Sequence, residues 1–108
     1  MTLNDPVYME AAQALARRIV ATPGSSAEKL RHAFQLCLVR EPREKEAAEL
    51  LALHARSRTR FAADTAQATV IATNPLGALH EGADVAEHAA WTVVGNVLLN
   101  LDELLMKP

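Results

Sequence analysis

Four side chains able to bind a metal or move a proton, His80, Glu81, Glu87 and His88, fall within nine residues of one another. Zinc sites favour ligand pairs at helical or tight-turn spacing, such as i and i+4, and His80 and His88 stand eight apart. His80, Glu81 and His88 are therefore weak metal candidates, and Glu87 reads as a capping residue. His54 is a second candidate because it falls at an apolar stripe angle. A ligand or a base is one reading of it; an imidazole bonded to a backbone carbonyl or a carboxylate is the plainer one.

The nucleophiles Cys37, Ser25, Ser26 and Ser57 have no glycine elbow and no neighbouring base. Asp102 and Glu103 are adjacent, so on a helix they diverge by about 100° and do not share a substrate. No glycine-rich loop of the phosphate-cradling kind occurs. The expectation is a chain with no catalytic residues, no metal and no cofactor. Asn96, Asn100 and Glu103, at i, i+4 and i+7, form a polar ridge that either hydrogen-bonds loop backbone or recognises another chain.

Eleven basic and thirteen acidic residues leave a net charge of −2, which supplies no attraction for nucleic acid or anionic lipid. Arg56, Arg58 and Arg60 splay around a helix instead of forming one patch. Cys37 is the single cysteine, so it makes no intrachain disulfide and reads as a small core residue. No apolar run reaches the roughly 18 residues of a membrane span. The first five residues lack the pattern of a signal peptide, so the chain as it stands reads as unexported.

The elements that would position these groups are helical. Half of the residues are hydrophobic, only four are aromatic and only four are glycine, a helix composition. At 108 residues the length points to one domain. Asp5-Pro6 starts a first helix with Tyr8, Ala12, Leu15 and Ile19 as its stripe, ending near Val20 before Pro23-Gly24. Ser25 with Glu28 forms a capping box for a second helix, from Ser26 to about Val39, with Leu30, Phe34, Cys37 and Leu38 inside. Glu41-Pro42 stops it, and Pro42 fits the first position of a third helix. That helix carries Ala47, Leu50, Leu51, Phe61 and Ala62 on its stripe, with His54 and Arg58 at stripe angles.

Asp64 with Gln67 is a further cap, so residues 64–72 either continue the third helix or form a short one of their own. Residues 73–83, with Asn74-Pro75, Gly77 and Gly82, read as the one long loop. Asp84 with Glu87 is a capping box that starts the last helix at Val85. Residues 89–105 of that helix are apolar over nearly half the circumference: Ala86, Ala90, Val93, Val94, Val97, Leu101 and Leu104 form the face, with Trp91, Leu98 and Leu105 at its shoulder. His88, Thr92, Gly95, Asn96, Asn100 and Glu103 take the opposite, half-exposed side. The fold expected is an all-α compact bundle of four main helices and a possible short fifth, mostly antiparallel around the last helix.

The segments Ala89-Ala90-Trp91-Thr92-Val93-Val94 and Val97-Leu98-Leu99-Asn100-Leu101-Asp102-Glu103 resemble the closing motif of a large domain of unknown function in planctomycete-type proteins. Arg40-Glu41-Pro42 with Glu46, after Ala33-Phe34-Gln35-Leu36, is similar to the upstream motif of that family, and Phe61-Ala62-Ala63-Asp64 to its interhelical linker. The resemblance spans residues 30–103 and implies the C-terminal part of a protein whose earlier modules include a cytochrome-c-like one. Those modules, with their haem-attachment cysteines, are not in this sequence. The family usually carries a small residue such as glycine where Val39 stands, and an aromatic or threonine-containing end where this chain has Leu104-Leu105-Met106. Full-length members look exported, and their activity is unknown.

The leading functional expectation is a non-catalytic helical module that docks a protein partner or forms a homodimer. Its motivation is the breadth of the last helix, with Val85 and Leu99 outside the main stripe. Val85, Trp91, Asn96, Leu99, Asn100 and Glu103 are the interaction candidates. The alternative is a small-ligand or metal-binding domain built on residues 73–88, with His80, Glu81 and His88.

Overall fold

A computed structural model describes the backbone of residues 6–106 and the side chains of residues 9–101. Five helices follow one another: α1 (Pro6–Ala21), α2 (Ser26–Leu38), α3 (Glu44–Ala62), α4 (Thr65–Thr73) and α5 (Val85–Met106). Among the described residues there is no strand, so the fold is all-α, four main helices with a short fifth between the third and the last. None of these helices is long and apolar enough to cross a membrane. The Asp5 cap, the side chain of Tyr8, and those of Asp102, Glu103, Leu104 and Leu105 lie outside the described residues.

The helix boundaries follow from local chemistry. In α2 the Ser25 hydroxyl accepts from the Glu28 N–H at 3.2 Å and the Glu28 carboxylate accepts from the Ser25 N–H at 2.9 Å. Asp64 caps α4 by accepting from the Gln67 N–H at 3.1 Å, which makes that segment a separate helix. Lys29 reaches back from α2 to the open carbonyls at the end of α1, donating to Val20 at 2.9 Å and also to Thr22. α2 ends one residue earlier than expected, because Val39 turns into the left-handed region at φ 53° and ψ 38°. Pro42 sits outside α3, which begins at Glu44.

α5 touches all four other helices. Its apolar face meets Leu15, Ile19, Leu30, Phe34 and Leu50 through Trp91, Val94 and Leu98. Nearer its start, Ala89 packs with Phe61, Ala68 and Ala72, and Val85 lies against that second cluster. The side expected to be half exposed is also covered: His88, Thr92 and Asn96 are buried. Gly95 explains how. A Cβ there would stand 3.3 Å from the Ala12 carbonyl oxygen and 3.3 Å from Leu15 Cδ2, so the bare backbone lets α1 lie directly on that side. Burial on both sides of its first half accords with the helix's overall apolarity.

On α3 the stripe continues through Leu50, His54, Ser57 and Phe61, all buried, whereas Ala62 is exposed.

Candidate functional site

The long connection between α4 and α5 is held by two polar residues of α1, one turn apart. Gln13 is fully buried; its amide donates to the carbonyls of Ile71 at 2.8 Å and Asn74 at 2.7 Å, and its carbonyl oxygen accepts from the Leu76 N–H at 3.1 Å. Arg17 donates through Nη2 to the carbonyls of Gly77 and, at 3.5 Å, Ala72. Its Nε–H is buried and meets no acceptor among the described residues. These bonds fix the loop that carries His80 and delivers the chain to α5.

Once the loop is placed, His80 and His88 come together. Their rings stand edge to face, centroids 6.1 Å apart, on a cavity of about 300 Å³ that Arg17 also lines. His88 is only 3% exposed, and its Nδ1 lies 3.0 Å from the Asp84 carbonyl oxygen. A carbonyl only accepts, so Nδ1 carries the proton and Nε2 is the remaining nitrogen. Glu81 is exposed and lines neither this cavity nor the larger one, about 540 Å³, between α4 and the loop. Among the described residues no three His, Cys, Asp or Glu side chains gather as a metal cage needs.

A second polar group ties α3 to the start of α5. Asp84 accepts from the Glu87 N–H at 3.1 Å, the first half of the expected capping box. Glu87 does not complete it, because its carboxylate turns to α3. There it accepts from His54 Nε2 at 3.0 Å and Arg58 Nε at 2.9 Å, while its other oxygen accepts from Trp91 Nε1 at 3.2 Å. Arg58 also donates to Asp84 at 2.7 Å. The carboxyl of Asp84 is held below the usual carboxylate range, first by the Glu87 N–H bond and then by the charge of Arg58. The His54 ring stacks on Trp91, centroids 4.3 Å apart. His54 is thus the carboxylate-bonded imidazole of the plainer reading, with its Nε2 occupied.

At the α2–α3 corner Arg40 forks onto Glu46 with two bonds of 2.9 Å and lies over the Phe34 ring. Glu46 also accepts from the Arg43 N–H at 2.9 Å. These donors, Arg40 foremost, pull the Glu46 carboxyl down to about 2. The corner exposes Leu36 and Val39, the latter to 81%.

The interaction candidates on α5 are placed as follows. Trp91 and Asn96 are buried and present no surface to a partner. Val85 and Leu99 are half-buried and pack on the two core clusters. Asn100 bonds along its own helix to Asn96, donating to the backbone and side-chain oxygens at 3.0 Å each. The Glu103 side chain lies outside the described residues. Asn96 and Asn100 thus bond to each other within α5, and the Asn96 Nδ2 is buried with no partner among the described residues. Gln13 and Arg17 were not legible as site residues, since their partners lie more than 50 residues along the chain. Their one local sign is a polar i, i+4 pair beside an apolar stripe.

The family model PSD1, protein of unknown function (DUF1553), matches residues 1–54. That stretch takes in α1, α2, the Arg40–Glu46 clasp and α3 as far as His54. No curated protein and no solved structure matches the chain.

Proposed function

The chain belongs to the PSD1 (DUF1553) family of unknown function, and from that premise we infer that it is a non-catalytic helical module that docks against a second copy or another domain. Within this reading it is the C-terminal part of a larger multidomain protein, or a free-standing copy, of the kind that accompanies cytochrome-c-like modules in planctomycete-type proteins. The observation that carries it is the α2–α3 corner. Val39 is 81% exposed and Leu36, one turn before it, 36%. Val39 holds a backbone conformation that costs a β-branched residue about 1–2 kcal/mol. An exposed apolar pair on a strained, clasped turn is surface that association covers. The docking face proposed is therefore this corner rather than α5, where Trp91 and Asn96 are buried.

Light scattering over a wide concentration range tests the self-docking form. A dimer that Leu36→Glu with Val39→Glu converts to monomer supports it. For another domain, hydrogen exchange at residues 36–41 is compared with and without a cytochrome-c-like partner module. A monomer whose corner exchanges equally fast in both conditions overturns the reading.

A second reading, a small-ligand site on residues 73–88, is favoured by the convergence of His80, His88 and Arg17 on one cavity.

A further inference from the structure

We propose that the cavity between α1 and the loop entering α5 binds a small oxyanion, a carboxylate or phosphate group, held by Arg17, His80 and His88. The proposal rests on the small-ligand reading of residues 73–88 and gives that ligand a chemical class.

The lining decides the class. Arg17, His80 and His88 are the polar side chains of the wall and Val20, Ala21 and Leu79 the apolar ones, so there is no carboxylate in it. No carboxylate pairs with Arg17 among the described residues. Among the described residues its partners are the carbonyls of Ala72 and Gly77, and its Nε–H has none. A guanidinium is always charged and carries five N–H donors in a rigid fork, so this cavity wall holds a cation with capacity left over. A metal ion placed between the two imidazoles would face that same cation without an anionic ligand to offset it. An anion is attracted where a metal is repelled.

The histidines are arranged for the same guest. The Asp84 carbonyl fixes the proton of His88 on Nδ1, 3.0 Å away, and so orients the ring. With the proton on Nδ1, Nε2 is an acceptor, and the O–H that a phosphate keeps at neutral pH can donate to it, while a bare carboxylate would rest on Arg17. His80 is exposed, its ring centroid 6.1 Å from that of His88 across the cavity. A volume of about 300 Å³ suits a phosphate or a short mono- or dicarboxylate, whose carbons would lie on Val20, Ala21 and Leu79.

The test is a titration of the intact ¹⁵N-labelled chain at neutral pH and constant ionic strength, followed by NMR at Arg17 Nε–H, the His88 ring and the Gly77 amide. The probes are inorganic phosphate, acetate, succinate, neutral acetamide and Zn²⁺, with chloride as the ionic-strength control. Saturable shifts with phosphate or a carboxylate, absent with chloride and acetamide, are expected, and the tighter of the two anions identifies the source. His80→Ala, which removes an exposed ring and leaves the loop anchors intact, should weaken that binding about tenfold. Arg17→Gln should weaken it further. Saturation by Zn²⁺ or acetamide without either anion overturns the oxyanion class and leaves the ligand pocket standing. No saturable response to any probe overturns both, and anion affinity unchanged in both variants overturns the assignment of these residues.

Discussion

Val39 sits at φ 53° and ψ 38° with its side chain almost wholly in water. Neither the conformation nor the exposure favours a β-branched apolar residue. Replacing it removes the Cβ clash and adds some unfolded-state entropy. The net expectation for Val39→Gly is a gain of about 1 kcal/mol, read as a higher denaturant midpoint at unchanged slope. Four residues beyond the corner's proline, on the first turn of α3, Glu46 makes the opposite contribution. Its folded pKa, about 2, lies below the ordinary carboxylate value because Arg40 and the Arg43 N–H bond the ionised form. A depressed folded pKa stabilises above the unfolded value and loses that stability as pH falls through the folded one. Stability should therefore decline from pH near 5 down to about 2. Glu46→Gln should cost about 1 kcal/mol at neutral pH and flatten that part of the acid profile. An equal acid slope in the variant would show that Glu46 contributes nothing to it.

At the level of the element, one carboxylate gathers most of the polar contacts between α5 and α3. Glu87 receives His54, Arg58 and Trp91, and Asp84 adds a second grip on Arg58. Replacing the hub by a neutral amide of the same shape keeps the volume but puts an NH₂ against donors, leaving at least one of them unsatisfied. Glu87→Gln should cost about 2 kcal/mol in equilibrium unfolding. Trp91 is the only tryptophan and is completely buried, so its fluorescence reports the same junction. Loss of the Nε1 bond should change its emission in the folded variant while far-ultraviolet helicity stays the same. Equal stability and an unaltered spectrum would mean that the packing of Trp91 on His54, not the carboxylate, holds the two helices.

For the molecule as a whole the decisive residue is Gln13, which joins α1 to the end of α4 and to the loop about 60 positions later. Its amide, itself fully buried, satisfies two carbonyls and one N–H. Gln13→Ala should destabilise by about 2–3 kcal/mol, because each of those groups then loses its partner. Amide exchange at Leu76, whose N–H is bonded to the Gln13 side chain, should accelerate more than exchange in α2. Uniform acceleration across the chain would show instead that the loop opens only with global unfolding. The proposed oxyanion cavity depends on the same anchoring, since Arg17, one turn on from Gln13, holds Gly77 and so sets where His80 stands.

The sequence by itself determined the helices, because their signals are local. Ser25 with Glu28, Asp64 with Gln67 and Asp84 before Glu87 mark starts by side chains that reach only three residues, and the stripe of Ala12, Leu15 and Ile19 marks a buried face by spacing alone. The arrangement of those helices was decided only by the tertiary structure. Spacing shows that α5 has one face to bury; it does not show that a hydrogen in place of a side chain at Gly95 lets α1 cover the other. A capping pattern assigns Glu87 to its own helix, yet three donors drawn from α3 and α5 outcompete one backbone N–H. His80 and His88 have the wrong spacing for partners on one helix, and they meet because Gln13 and Arg17 fold the intervening loop back. Local patterns determine which backbone groups are satisfied nearby. Which side chains share a cavity depends on contacts between residues far apart in the chain, and nothing in the residues between them encodes that.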